Sequence, residues 1–375
     1  MLDLIGYERT GFLVFLNLAM FALAFLLLQP ALVPHNGSKQ QGYLLGWVMI
    51  MLFSIFAFWG NDFFHMAISY SYIASGGFTH MEAIYVWIMQ NVCHDYMSFR
   101  LLIWGCSLLL FHLSIKASGV NKYTAWAVFV PISLLWESYS RATLSMAFMF
   151  YAYSLWNYKG KRSFIRKLFA IPILLASFYF HKSSMFGIAI IVAASILRME
   201  KKYSIYMLLL LIPALYFGLQ YFFEDFMQQE GARGGDLWEG SVYSGQSYME
   251  REVEARSFSN TLIQYLERSV YYLTAYIGVL CLCHGHMKEM SFEQKAFIRL
   301  QLFFVLVSSM FLIDFGFNAT IITERFFRFN FFPTTIVVAY YIQNRIYPYL
   351  TKWVLCLGVL MTSYELLYCL FLHIE

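Results

Sequence analysis

Charge is what this chain has least of: Asp, Glu, Lys and Arg together make up 13% of its 375 residues. With 60% hydrophobic residues and a mean hydropathy of +0.58, a soluble domain would have too little polar surface to cover its core, whereas a bilayer solvates apolar faces directly. Catalytic signatures are missing too. There is no GxSxG elbow, no HExxH pair and no Gly-rich dinucleotide loop, which excludes the common hydrolase, zinc-protease and nucleotide-cofactor readings. Arg233-Gly234-Gly235-Asp236 lacks the Lys-Ser/Thr of a phosphate loop and follows no strand. The six cysteines fall mostly inside apolar blocks and read as packing residues. In Cys281-Leu282-Cys283-His284-Gly285-His286 the ligand-type residues do not converge on one helical face, so neither a metal nor any other cofactor is expected.

What is present is a series of about twelve apolar blocks, each of a length suited to a helix in a membrane. They run approximately Gly11 to Leu28, Tyr43 to Trp59, Met97 to Ile115, Tyr123 to Trp136, Ala142 to Trp156, Leu168 to Phe180, Ser184 to Leu197, Tyr203 to Phe222, Leu262 to Cys283, Phe297 to Ile313, Phe329 to Tyr341 and Trp353 to Leu372. The expected fold is all-α: a polytopic integral membrane protein of about 12 transmembrane helices with short re-entrant or hairpin elements, in a single membrane domain. The apolar runs do not alternate as barrel strands would. The first block has no basic region before it and no small-residue cleavage site after it, and is expected to be a retained span. Residues 223–260 form the one long hydrophilic stretch, with eight acidic residues against three arginines, and read as an extracytoplasmic loop.

Basic residues orient the chain. With both ends outside, sixteen of the 26 Lys and Arg residues fall in cytoplasmic loops, most of them in tight clusters such as Lys159 to Lys167, Arg198 to Lys202 and Lys288 to Arg299. This accounts for the net charge of +4 without nucleic acid. Both sides of Leu168 to Leu197 are basic, so a tight hairpin is expected there, with arms of about 13 residues and the tip His181-Lys182-Ser183-Ser184. A second tip, Glu137-Ser138-Tyr139-Ser140-Arg141, is expected for the same reason. Residues His80 to Cys93, short and aromatic with Glu82 near the start, read as an interfacial or re-entrant helix. Before the span at Phe329 stand Arg325 and Arg328, three apart and therefore on one helical face. If that span descends from the outer side, its N-terminal N–H groups and the two guanidinium groups would suit a diphosphate. Lipid headgroups or Glu324 are the alternative partners for these arginines.

These residues carry a resemblance. Asp62 with an aromatic and His65 after it, Glu82 leading into an aromatic helix, Arg141 opening a span, a basic loop, the tip at His181-Lys182-Ser183-Ser184 and the late Arg325-Phe326-Phe327-Arg328 together resemble the EpsG family of the Wzy-type bacterial polysaccharide polymerases. The likeness runs from about Asp62 to Tyr341, with Lys182 as a departure. It implies an architecture like that of the membrane GT-C-like polymerases and ligases, in the bacterial inner membrane. It also implies glycosyl transfer on the extracytoplasmic side, joining oligosaccharide repeat units carried on polyprenyl diphosphate.

On that implication Arg141, Arg325 and Arg328 would hold the diphosphate, with Lys182 behind them. His181 would be the base, with Asp62 and Glu137 as rivals. Glu82, Trp238 and Glu324 would be sugar contacts. Lipid-linked oligosaccharide and bilayer would be the partners, with a chain-length regulator and a flippase beside them. Two other readings stay open: an O-antigen-ligase-like transferase using the same carrier, and a non-enzymatic transporter or flippase. The second would call for related halves, and no internal repeat is apparent.

Overall fold

The structure, a computed structural model, describes residues 69–77, 82–133, 141–181, 184–196, 258–314 and 327–371. The apolar blocks at 11–28, 43–59 and 203–222, and the loop from 223 up to 257, lie outside the described residues. Within them every regular element is helical, as a chain of long apolar runs with few Gly and Pro dictates. After a short helical stretch at 69–74 come α1 (Ala83–Asn91), α2 (Tyr96–Ser118), α3 (Lys122–Ser133), α4 (Arg141–Asn157), α5 (Ser163–Phe180), α6 (Ser184–Ile196), α7 (Phe258–Cys283), a 3-10 turn (His286–Lys288), α8 (Phe292–Asp314), α9 (Phe331–Gln343) and α10 (Pro348–Phe371).

Two described helices, α2 and α5, are long and apolar enough to cross a membrane. They differ in surroundings, since 44% of the apolar window of α2 but 11% of that of α5 is buried inside the protein. The nine residues of α1 span only about 14 Å, too short for a hydrocarbon layer of about 30 Å. Four helices begin four or five residues ahead of the expected apolar blocks: α7 at Phe258, inside the expected loop, α8 at Phe292, α10 at Pro348 and α5 at Ser163. Helix α5 has 18 residues instead of the expected arm starting at Leu168. Arg166 and Lys167 do not end it, because their long stems lay the charges over Tyr158 and Trp156, 3.6 and 5.7 Å from the ring centroids. The chain does break between Phe180 and Ser184, so a single helix from 168 to 197 is ruled out. At the other expected tip α4 begins at Arg141, while Glu137 lies outside the described residues.

Helix α4 is central, packing on α2, α5, α6 and α8, while α9 packs on α3 and α8 and α7 packs along α10. The core where they meet is aromatic. Phe332 stacks on Phe111 at 4.7 Å and on Phe150 at 5.2 Å, and Phe331 meets Phe111 edge-on at 5.5 Å. Such offset and T-shaped pairs add about 0.5–1.5 kcal/mol each beyond simple burial. Helix α10 closes on α3 at Pro131, whose carbonyl accepts from Thr362 Oγ1 at 2.7 Å.

The bundle has two unlike ends. At one, the Lys159 N–H donates to Glu293 Oε1 at 3.1 Å and the Lys159 ammonium lies 3.8 Å from the centroid of Phe292. The Asn121 N–H donates to Gln343 Oε1 at 3.1 Å, and Tyr347 bonds His284. The connections after α2, α4, α7 and α9, which carry Lys122, Lys159, Lys161, Arg162, Lys288 and Arg345, thus gather at this end. At the other end lie the starts of α2 and α4 and the finish of α5.

Helix α2 starts there on a true cap. Asp95 Oδ1 accepts from the Ser98 N–H at 2.7 Å, and the hydrogen bonds from Ser98 hold its carboxyl below the usual carboxylate range. A depressed folded-state value means that the cap's contribution is complete above about pH 4, where the unfolded carboxyl titrates, and fades as the pH falls through the lower folded value. Asp95→Ala is expected to cost about 1 kcal/mol at neutral pH, with the gap to wild type narrowing below about pH 4. Unfolding curves of both proteins across that range check this, and a gap that does not depend on pH refutes it.

Candidate functional site

Helix α5 ends because the chain turns extended at His181 (φ −163°, ψ 126°), not because a glycine stops it. Both backbone groups of His181 are satisfied. Its N–H donates to the Ser177 carbonyl at 3.2 Å, and its carbonyl accepts from the Ser184 N–H at 3.0 Å and from Ser184 Oγ at 2.7 Å. The serine that opens α6 therefore ties the break shut. Just before it, Phe180 lies flat on Phe148 at 4.8 Å and takes the edge of Tyr85 at 5.9 Å. Ser145 donates to the Ser177 carbonyl at 2.8 Å. Ring packing and this bond register α5 on α4 and leave the imidazole with little positional freedom.

Tyr85 is fully buried on α1, so its contact with Phe180 also fixes α1 beside the end of α5. That brings Glu82, the residue before α1, to His181. Glu82 does not cap its own helix with its side chain; its Oε1 lies 2.7 Å from His181 Nδ1. A short bond to a carboxylate makes Nδ1 the protonated nitrogen and leaves Nε2 of the neutral ring as an acceptor. The two side chains are 19% and 12% exposed: accessible at one edge, shielded elsewhere. Glu82, expected among the sugar contacts, has its Oε1 on the imidazole.

Phe327 is buried, Arg328 is half-buried, and α9 begins only at Phe331. The expectation that the N-terminus of this helix would receive an anion is not met. The Asn330 N–H donates to the Phe327 carbonyl at 2.9 Å, the Thr334 N–H to the Asn330 carbonyl at 2.9 Å, and Pro333 has no N–H to offer. Phe331 and Phe332 lie 1% and 0% exposed in the aromatic core. What the turn does offer is position. Asn330 Nδ2 donates to Ser308 Oγ at 3.1 Å and to the Phe327 carbonyl at 3.2 Å, tying Arg328 to α8.

The two clusters are neighbours through one glycine. Gly187 is three residues past Ser184 on α6, and a Cβ placed on it would come 2.5 Å from Met149 Sδ and 2.9 Å from Phe329 Cε1. Phe329 in turn stacks on Phe304 at 5.8 Å. The same end contains polar residues that sequence reasoning passed over. Gln264, Glu267, Arg268 and Tyr271 lie on one face of α7 at i, i+3, i+4 and i+7 and are all buried. Tyr271 donates to Glu267 Oε1 at 2.9 Å, and the Arg268 guanidinium lies 5.2 Å from the ring centroid of Phe327. Their spacing was the available signal, a polar stripe within an apolar helix.

Of the expected site residues, the structure brings His181 and Glu82 into contact and starts α4 at Arg141, and it packs Phe329, the residue after Arg328, against α6. Asp62, Glu137, Lys182, Trp238, Glu324 and Arg325 lie outside the described residues. Among the described residues no three His, Cys, Asp or Glu side chains gather as a metal site. No family model, curated protein or solved structure matches the chain.

The Gly187 contact is testable by adding a methyl group. Gly187→Ala forces the stacked Phe329 ring or Met149 aside and is expected to destabilise by about 1–3 kcal/mol. Gly105, inside α2, has nothing within 4 Å of an added Cβ, and Gly105→Ala is expected to be neutral or stabilising by up to about 1 kcal/mol. Denaturant unfolding of the two variants checks the contrast, and equal effects would show that Gly187 is not a close approach.

Proposed function

We propose that this protein is a multi-pass membrane glycosyltransferase of the Wzy type, joining repeat units from polyprenyl-diphosphate-linked oligosaccharide. The observation that carries the reading is the His181–Glu82 pair at 2.7 Å, at the end of the bundle opposite the basic loops. In this reading the basic end faces the cytoplasm of a bacterium and the pair faces outward. Together with the apolar blocks that lie outside the described residues, the sequence offers such a bundle about twelve spans.

The chemistry asked of the site is modest. An acceptor hydroxyl attacks the anomeric carbon of the donor sugar, the bond from that carbon to the phosphate oxygen breaks, and polyprenyl diphosphate departs with the electron pair. His181 Nε2 takes the hydroxyl proton, and Glu82 holds the ring in the required tautomer and stabilises the imidazolium that forms. Arg141, Arg325 and Arg328 steady the leaving group, whose charge suits planar guanidinium forks better than ammonium points. A chain-length regulator and a flippase are the partners such an enzyme would work beside.

A ligase using the same carrier would need the same groups, and differs only in its acceptor. A strain lacking the protein separates the two: single repeat units on the lipid carrier indicate a polymerase, full-length unattached polymer a ligase. A transporter reading is weakened because the half-buried His–carboxylate pair lies at one end of the bundle, where transport would want polar groups along the whole path.

In vitro polymerisation with purified lipid-linked repeat units tests the proposal. His181→Gln is expected to keep binding substrate yet lose turnover on the order of a hundredfold or more, and Glu82→Gln to show an intermediate loss. Near-normal turnover in His181→Gln would move the base to Asp62 or Glu137. In the same assay Arg141→Lys, Arg325→Lys and Arg328→Lys are expected to shorten or abolish polymer. Normal polymer from all three would leave the arginines as interfacial anchors.

A further inference from the structure

Helix α5 has two faces that differ in kind. The inner one is small. Ala170 and Ser177, 3% and 0% exposed, let the helix lie close on α4, where Ala152 and Leu155 cluster with Ala170 and Ser145 Oγ reaches the Ser177 carbonyl. The outer face is large. Phe164, Leu168, Ile171, Leu175 and Tyr179 follow one another at intervals of three and four, so they form one stripe, and they are between 49% and 79% exposed. Helices that associate inside a bilayer do so through small residues, which let backbones approach, and through hydrogen bonds between polar side chains. This stripe has no small residue, and its one polar side-chain atom is the Tyr179 hydroxyl at its end. Whatever covers it is therefore apolar and makes no demand for close backbone contact, and bilayer hydrocarbon meets both conditions.

The two ends of α5 carry the residues suited to lipid surfaces. At the start, Arg166 and Lys167 lie over Tyr158 and Trp156, cations on apolar stems that suit anionic headgroups. At the finish stands Tyr179, a ring with a polar tip, of the type enriched where membrane meets water. No charged residue falls between Lys167 and His181. The 18 residues of the helix rise about 27 Å, close to the roughly 30 Å of a hydrocarbon layer. A helix that starts at one lipid surface thus ends at the other, and His181 is the residue that ends it.

We propose that the outer face of α5 lies against bilayer hydrocarbon at the edge of the bundle, and that the His181–Glu82 pair consequently sits at the level of the lipid headgroups. This rests on the membrane reading above and deepens the glycosyl-transfer one. A sugar anchored to a lipid has its diphosphate at that same level, so it reaches the pair from the membrane plane without passing through the protein.

Photolabelling of the wild-type, full-length protein in vesicles of phosphatidylcholine and phosphatidylglycerol tests the placement. One phosphatidylcholine probe carries a diazirine midway along an acyl chain, a second carries it on the headgroup, and adducts are mapped by mass spectrometry. The mid-chain probe is expected to label Leu168, Ile171 and Leu175 and to leave Ala170 and Ser177 unlabelled. The headgroup probe is expected to label Phe164 and Tyr179. A stripe that stays unlabelled while other helices take up the mid-chain probe would mean that another helix or a second copy covers α5, and the proposal falls. Equal mid-chain labelling of Tyr179 and Ile171 would put His181 well inside the membrane and overturn its level. Protein that takes up neither probe anywhere would sink the membrane reading itself. The expected labelling in a protein that does not turn over lipid-linked repeat units would uphold the placement of α5 and remove only the glycosyl-transfer reading.

Discussion

The cost of removing charge from water governs this molecule. A chain with 13% charged residues can place most of them at bundle ends, where long stems snorkel and water screens them. Lys159, Arg166 and Lys167 do this, each over an aromatic ring. Among the described residues, several ionisable groups that remain inside engage specific partners. Glu267 takes a hydrogen bond from Tyr271, Arg268 lies on Phe327, and His181 and Glu82 engage each other. Because each such group is costly alone, its partner must be in place, and that requirement reaches back into the packing of whole helices.

The aromatic core meets the requirement. Phe148, Phe180 and Tyr85 set α4, α5 and α1 against one another within one ring's thickness, and the result is a carboxylate delivered to an imidazole from 99 residues away. Phe111, Phe150, Phe331 and Phe332 do the same for α2, α4 and α9. Flat, wide side chains with few rotamers hold elements in register better than flexible aliphatic ones do, which suits a bundle whose functional groups are single residues at helix ends.

Helix existence and the unlike ends were legible in the sequence, since apolar run length and basic clustering are local signals. Boundaries failed where a side chain could escape the rule, as at Arg166 and Lys167, whose stems let α5 extend toward its loop. The break at His181 was legible from charge alone, because two basic loops needed the same end. The pairing of His181 with Glu82 was not. Both residues were visible as polar punctuation in apolar text, but only the Tyr85–Phe180 contact, set by three-dimensional packing, joins them. The polar face of α7 carried a readable period at 264, 267, 268 and 271, yet a helix that also bears Tyr265, Tyr272 and Tyr276 dilutes that pattern.

The closed start of α9 has a chemical consequence. A helix N-terminus is the least expensive way to hold a phosphate, since its N–H groups need no ion of their own. Here Pro333, the Asn330 turn and the buried Phe331 and Phe332 remove that option. On the glycosyl-transfer reading, stabilising a departing diphosphate would then fall to side-chain cations, which carry their own desolvation cost and need shielding when no ligand is bound. Guanidinium groups laid on aromatic rings satisfy both demands, because the ring tolerates the cation without neutralising it and leaves the N–H edge available. On the glycosyl-transfer reading, arginines beside phenylalanines are therefore what this fold requires once its helix dipole has been turned into the core.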